Sequence, residues 1–226
     1  MTREVGPSSG VRLAVFDCDG TLVDGQASIC EAMELAFIEC DLPPPERGVI
    51  RRSVGLSLPQ AVRRLAPEAE ETTIGALVEA YKRGFRDARE SGTLAQPLFP
   101  GIAEALDALR ARDWLLAVAT GMSRRGLVHC LEANGVSDRF LSLQTADRHP
   151  SKPHPAMLEA ALAAALADPS EAVMIGDTRY DMEMARSIGV RAIGVEWGYH
   201  GADELRAAGA EWVAASPAEL AGYLLR

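Results

Sequence analysis

The run Asp17-Cys18-Asp19-Gly20-Thr21 sets two carboxylates two residues apart, directly behind the short apolar stretch V-R-L-A-V-F that ends at Phe16. A continuous apolar run of that length suits a strand buried in a parallel sheet. Its carboxyl end, where Asp17 and Asp19 then emerge, is where open α/β sheets bind ligands. Two carboxylates beside a turn that Gly20 permits can divide the work of a nucleophile and a general acid/base. The same residues also suit a plain turn in which Asp and Thr cap a helix. A second acidic pair, Asp177 and Asp181, lies in G-D-T-R-Y-D-M behind the apolar run Ala172 to Gly176. Its i, i+4 spacing puts both carboxylates on one side of a helix's first turn. Hard oxygen ligands converging from two strand ends suit Mg²⁺; capping of the helix and favourable interaction with its dipole are the alternative.

Lys152 and Lys82 are the only lysines among 23 basic residues. Where arginine is the default cation, a lysine at a helix start offers a compact charge suited to a phosphoryl or carboxylate oxygen beside a metal. Thr120 closes a further apolar run, Trp114 to Thr120, and is followed by Gly121 and a helix from about Ser123. A hydroxyl and free backbone N–H groups there can cradle a phosphate. His129, His149, His154 and His200 show no metal-ligand spacing, and the sequence lacks G-x-x-x-x-G-K-[ST] and a G-x-G-x-x-G behind the first strand. Nucleotide binding by those routes is not supported.

Apolar runs alternate with helical periodicity: the strands named above recur as Phe140 to Gln144, Val190 to Val195 and Trp212 to Ala215. This alternation predicts a parallel α/β sheet covered by helices on both faces. From about Gly25 to Thr93 it stops, and only helical stripes appear, such as Ile29, Met33, Ala36 and Phe37, then a long segment from Thr72 to about Glu90. The expected organisation is therefore an α/β core over residues 11–24 and 94–226, an all-helical insertion over 25–93, and a short flexible lead-in over 1–10. The formal charge of −9 and the absence of a basic, aromatic stripe speak against nucleic acid as a partner. No stretch of about 18 apolar residues points to a membrane span, and the amino terminus lacks a secretory h-region. Four scattered cysteines without a C-x-x-C pair fit reduced thiols in a cytoplasm.

In order, Asp17-Cys18-Asp19-Gly20-Thr21, Thr120, Lys152, and Gly176-Asp177 with Asp181 resemble the four motifs of the haloacid dehalogenase superfamily. The helical insertion resembles that superfamily's cap and places the chain beside its phosphoglycolate-phosphatase-like members, as do V-G-L-S-L in the insertion and the later W-G-Y. The resemblance implies a Rossmann-like core and a phosphatase acting on a small phosphorylated metabolite. It further implies that Asp17 attacks phosphorus, giving an aspartyl-phosphate, and that Mg²⁺ is held by Asp17, the backbone carbonyl of Asp19, and Asp177. Asp181 would orient a water on the metal. Asp19 would protonate the leaving alcohol and then activate water, while Thr120, Gly121 and Lys152 hold the phosphoryl oxygens. The sequence departs at Thr120-Gly121-Met122, where family members often carry Asn or Lys after the threonine.

Asp19 argues against dehalogenation, because the dehalogenases lack that second aspartate. A phosphomutase acting on a sugar phosphate uses the same motifs, and a non-enzymatic ligand-binding protein is the reading from another class. Lys82, the one lysine in the insertion, sits among Arg83, Arg86 and Arg89 on what reads as a solvated helix. Arg47, Arg51 and Arg52, ahead of V-G-L-S-L, are candidates to meet a second anionic group such as the carboxylate of phosphoglycolate; a solvated helix face is the alternative for them.

Overall fold

The computed structural model describes residues 10–226. Apart from Gly10, the lead-in expected over 1–10 lies outside the described residues. Six strands, β1 (Arg12–Phe16), β2 (Trp114–Thr120), β3 (Ser142–Thr145), β4 (Ala172–Gly176), β5 (Arg191–Val195) and β6 (Trp212–Ala214), make one sheet in the order β3-β2-β1-β4-β5-β6. All neighbouring pairs are parallel. The third strand starts two residues later than the apolar run beginning at Phe140. Ser137–Arg139 form a 3₁₀ turn and Phe140 packs onto the core before the chain enters the ladder.

Between β1 and β2 run α1 (Gln26–Glu39), α2 (Arg47–Arg51), α3 (Leu58–Leu65), α4 (Glu71–Glu90) and α5 (Ile102–Arg110). The first four enclose an apolar cluster of their own, in which Ile29, Met33 and Phe37 of α1 meet Ile74, Leu77 and Val78 of α4. Spacings of three and four residues bring these side chains to one face of each helix. The remaining helices are α6 (Arg124–Ala133), α7 (Ala156–Ala165), α8 (Arg179–Ser187), α9 (Ala202–Ala208) and α10 (Pro217–Leu224). Among the described residues no helix is long and apolar enough to cross a membrane.

Successive strand residues point to opposite faces. Leu13, Val15, Ala117, Ala119 and Met174 join Met157 of α7, Met182 of α8 and Leu205 of α9. Ala14, Phe16, Leu116, Val118 and Ile175 join Leu106 of α5, Leu127 of α6 and Leu220 of α10. With both faces covered, the inner strands β1, β2 and β4 carry no polar alternation, which explains their continuous apolar runs, whereas the edge strand β3 reads Ser-Leu-Gln-Thr. The chain leaves β1 toward β2 and β3, then crosses back to β4 on the other side of β1. That reversal opens a crevice beyond the carboxyl ends of β1, β2 and β4.

Helices α1 to α4 close over this crevice through a few contacts. The Ser57 amide donates to Ser151 Oγ at 2.8 Å, the Tyr180 hydroxyl donates to the Arg52 carbonyl at 3.3 Å, and Arg52 pairs with Glu204 at 3.0 Å. The tightest contact is backbone against backbone: a Cβ on Gly121 would overlap the Leu56 carbonyl oxygen and come to 3.0 Å from that of Gly55. Gly121→Ala is therefore expected to lift the 55–57 segment from the sheet, read as at least about tenfold faster hydrogen exchange at the Ser57 amide, whose partner lies across the contact. Gly48→Ala, where nothing lies within 4 Å of the added Cβ, serves as the control and leaves that exchange unchanged.

Candidate active site

Strand register assembles the site. Phe16 pairs with Ile175, and the Asp17 amide donates to the Ile175 carbonyl at 2.9 Å, so Asp17 and Asp177 leave adjacent strands at nearly the same height. The chain then turns sharply: the Cys18 carbonyl accepts from the amides of Thr21, Leu22 and Val23 at 2.8 to 3.2 Å. Gly20 makes the turn possible with a φ of 81°, and a Cβ there would overlap Asp177 Oδ2 and come within 2.5 Å of the Tyr199 ring. The Thr21 hydroxyl donates to Asp177 Oδ1 at 2.8 Å, tying the first acidic motif to the second. The loop after β5 completes the brace. Trp197 Nε1 donates to the Thr21 carbonyl at 3.0 Å, and the Tyr199 amide donates to Asp177 Oδ2 at 2.9 Å.

Lys152 is buried beneath Asp17, with Nζ 3.0 Å from Asp17 Oδ1 and 2.6 Å from Asp181 Oδ1. Asp17 Oδ1 also accepts from the Cys18 amide at 2.6 Å. Asp181 Oδ2 accepts from the Thr178 hydroxyl and amide, forming with Thr178 the capping box at the start of α8. Structural and electrostatic readings of Asp181 thus coexist in one side chain. Burial pulls the Lys152 ammonium down, but the charges of Asp17 and Asp181 outweigh it and hold the group above its ordinary value.

Negative charge here exceeds what one ammonium balances. Asp17, Asp177 and Asp181 are all buried and each offers an oxygen within 4.8 Å of the others. Burial and the charges of Asp17 and Asp181 push the Asp177 carboxyl well above the ordinary carboxylate range. Burial, aided by Asp181 and opposed by Lys152, raises Asp17 to about 6. Asp17 Oδ2 is buried without a hydrogen-bond partner. An orphaned carboxylate oxygen, hard donors and uncompensated charge fit a divalent cation, which Asp17 and Asp177 would hold with Asp181 behind them.

Asp19 differs from Asp17 two residues away. It stays partly accessible at a cavity wall, and its one hydrogen bond to a side chain, from Gln96 Nε2 to Oδ1, is long at 3.4 Å. Crowding by surrounding protein and then the Asp17 charge raise its carboxyl to about 7. A carboxyl poised there can both give and take a proton at neutral pH.

A family model described as haloacid dehalogenase-like hydrolase matches residues 14–195. The chain belongs to that family. It is 37% identical over 216 residues to the "Probable phosphatase IndB" of Dickeya dadantii, covering 93% of this chain and 92% of that protein. It is 30% identical over 201 residues to a phosphoglycolate phosphatase of Pseudomonas putida, covering 88% and 74% respectively. A solved hydrolase from Pseudomonas syringae superposes with a TM-score of 0.83 at 25% identity, over 94% of this chain and 97% of that one.

In this hydrolase a cavity of about 430 Å³ lies between the insertion and the carboxyl ends of β1 and β2. Asp17, Asp19, Thr120 and Gly121 line it, while Lys152, Asp177 and Asp181 stand behind Asp17. The Thr120 hydroxyl accepts from the Met122 amide at 3.3 Å, fixing the strand-to-helix bend. One expectation for the insertion is corrected. Arg51 and Arg52 do not line the cavity: Arg52 pairs with Glu204, and Arg51 lies beside Cys30. On α4 Lys82, Arg83 and Arg86 are exposed as expected, and Lys82, Arg86 and Arg89 also border the cavity together with Tyr81 and Phe85. Spacings of three and four residues along α4 are the signal that could have found them, since 81, 85 and 89 fall on one stripe. Gln96 and Tyr199 were also missed. Gln96 carries no motif, and Tyr199 matters through its backbone and ring position.

The raised carboxyls have a consequence for stability. A carboxyl whose folded value lies above its unfolded value of about 3.9 stabilises the fold while protonated, and that contribution is lost as pH rises through the folded value. With chelator present, the melting temperature is expected to fall from about pH 4 to about pH 7, between the unfolded carboxyl value and the folded values of Asp17 and Asp19. Adding Mg²⁺ at the upper end should restore it by mass action. A melting temperature unaffected by Mg²⁺ across that range would remove the cation from this site.

Proposed function

We propose that this chain is a Mg²⁺-dependent phosphatase that hydrolyses a small phosphomonoester through an aspartyl-phosphate on Asp17, with α1 to α4 (residues 25–93) acting as a cap over the α/β core. The observation that carries this reading is the unequal treatment of two carboxylates in one loop. Asp17 is pinned by Lys152 and the Cys18 amide, whereas Asp19 hangs at the cavity wall with its carboxyl near 7. One is aligned to attack and the other is free to change protonation. Relatives named as phosphatases, including the phosphoglycolate phosphatase of Pseudomonas putida, support the same substrate class.

In the first half-reaction an Asp17 oxygen forms a bond to phosphorus as the ester P–O bond breaks, and the Asp19 carboxyl gives its proton to the departing alcohol oxygen. In the second, Asp19, now a carboxylate, takes a proton from water as that water's oxygen bonds to phosphorus. The bond from Asp17 to phosphorus breaks, phosphate departs, and Asp19 is again protonated. The net change is ester plus water to alcohol plus phosphate. Lys152 has three N–H donors, two directed at Asp17 and Asp181, which leaves one for a phosphoryl oxygen. The Thr120 hydroxyl and the Gly121 amide would receive another. Bound Mg²⁺ supplies charge neutralisation for the phosphoryl oxygens, the main requirement of phosphoryl transfer. A reducing cytoplasm is the compartment we propose, since Cys18, Cys30, Cys40 and Cys130 are all free.

Purified protein with Mg²⁺ is expected to hydrolyse p-nitrophenyl phosphate and small phosphomonoesters, and to stop when the metal is chelated. Asp17→Asn should reduce turnover to background, and Asp19→Asn should lower kcat by about 10²- to 10⁴-fold. Wild-type turnover in folded Asp17→Asn would end the nucleophile assignment.

A further inference from the structure

The cavity is built for more than a two-carbon phosphoester. Its volume of about 430 Å³ falls in the range of about 300–1,000 Å³ typical of sites for sizeable organic ligands. Much of its accessible wall is apolar, with Val54 and Leu56 after α2, Leu58 of α3, Tyr81 and Phe85 of α4, and Met122 ahead of α6. The Tyr81 and Phe85 rings lie with centroids 4.9 Å apart and planes tilted by 31°, one turn apart on the same stripe of α4. A short hydrophilic acid would leave this surface against water, whereas an apolar or ring-bearing alcohol would cover it.

Charge lining the same cavity is the second, independent observation. Elsewhere on the surface Arg47, Arg63, Arg139 and Arg191 are each held by a carboxylate at 2.5 to 2.8 Å, while Arg64, Arg110 and Arg148 point into solvent without an ion pair among the described residues. Arg86, Arg89 and Arg125 line the cavity and have no ion-pair partner among the described residues. Arg89 Nε is buried with no hydrogen-bond acceptor among the described residues. A guanidinium donor withdrawn from water without a partner is costly unless a ligand supplies the acceptor. In a chain of net charge −9 these side chains make the cavity mouth locally positive from both α4 and α6, with Asp147, which accepts from the Arg124 amide, the one carboxylate among the described residues beside them apart from Asp17 and Asp19. The phosphoryl group has its own partners at the cavity floor, so these arginines are available to a different anion.

We propose that the substrate is a phosphomonoester whose alcohol has a bulky, largely apolar body carrying a second anionic group, and that Arg86, Arg89 and Arg125 bind that group. This rests on the phosphatase reading above and extends it. The inference keeps the second anion of phosphoglycolate and places it on a larger frame. Lys82 is not assigned this role, because Glu79 holds its Nζ at 2.7 Å.

Three esters separate the two features: phosphoglycolate has the second anion without the body, phenyl phosphate has the body without the anion, and phenyl phosphate bearing a para propanoate has both. The third is expected to show kcat/KM at least about tenfold above either of the others, a difference of about 1.4 kcal/mol. Arg89→Gln and Arg125→Gln, on separate helices so that misfolding of one leaves the other informative, should each reduce the preference of the third ester over phenyl phosphate at least about fivefold, through KM. A fourth ester with a phosphonate replacing the carboxylate identifies the anion preferred. Preference for phosphoglycolate, or an unchanged ratio in both variants, overturns the inference while leaving the phosphatase reading intact. Failure to hydrolyse even p-nitrophenyl phosphate overturns both.

Discussion

Three carboxylates and one ammonium packed into the same buried volume are the constraint around which this molecule is arranged. Like charges so close repel strongly in a medium poorer than water at screening them. The protein holds Asp17, Asp177 and Asp181 together because each is tied by donors that cannot retreat. Lys152 bridges two of them, Thr21 and the Tyr199 amide grip the third, and the Cys18 and Thr178 amides fix the rest. What these donors leave uncompensated is negative charge that a cation would neutralise. Removing one partner from such a group would cost more than the partner contributes as a pair, since the remaining charge stays buried.

That constraint explains the surrounding backbone. Gly20 and Gly198 are placed where any Cβ would enter the space of Asp177, so the loops after β1 and β5 can close on it from both sides. Gly176 likewise has no room for a side chain, because the Asp181 carboxylate lies against it. Asp17, Asp19 and Asp177 therefore reach their positions through strand register and tight turns more than through side-chain length. Helices α1 to α4 meet a different demand: they pack over the crevice while leaving Asp19 partly accessible at the cavity wall.

The core was legible in the sequence because its signals are local. A strand buried on both faces reads as a continuous apolar run, and the acidic motifs sit immediately behind two such runs, so Asp17 and Asp177 could be placed without knowing the topology. Strand order supplied what the runs could not, namely that β1 and β4 are neighbours. Helical periodicity disclosed the insertion, but periodicity reports which face packs inward and is silent on which partly polar face meets a cavity. Arg51 and Arg52 are candidates through their position before V-G-L-S-L, with a solvated face as the alternative, and the end of α2 turns Arg52 toward Glu204. On α4 the basic residues read as solvated, and Lys82, Arg83 and Arg86 are exposed; that an exposed stripe can also border a cavity is not written in its spacing. Only the approach of β2 and α6 from the core makes that surface a wall.

The meeting of Gly121 with the Gly55 and Leu56 carbonyls has an evolutionary consequence. Because main chain touches main chain there, the fit is indifferent to the side chains that α1 and α4 present to the cavity. Substitutions in the cavity wall would leave the closing geometry and the buried charges beneath it in place, so the joint and the lining can change independently of each other.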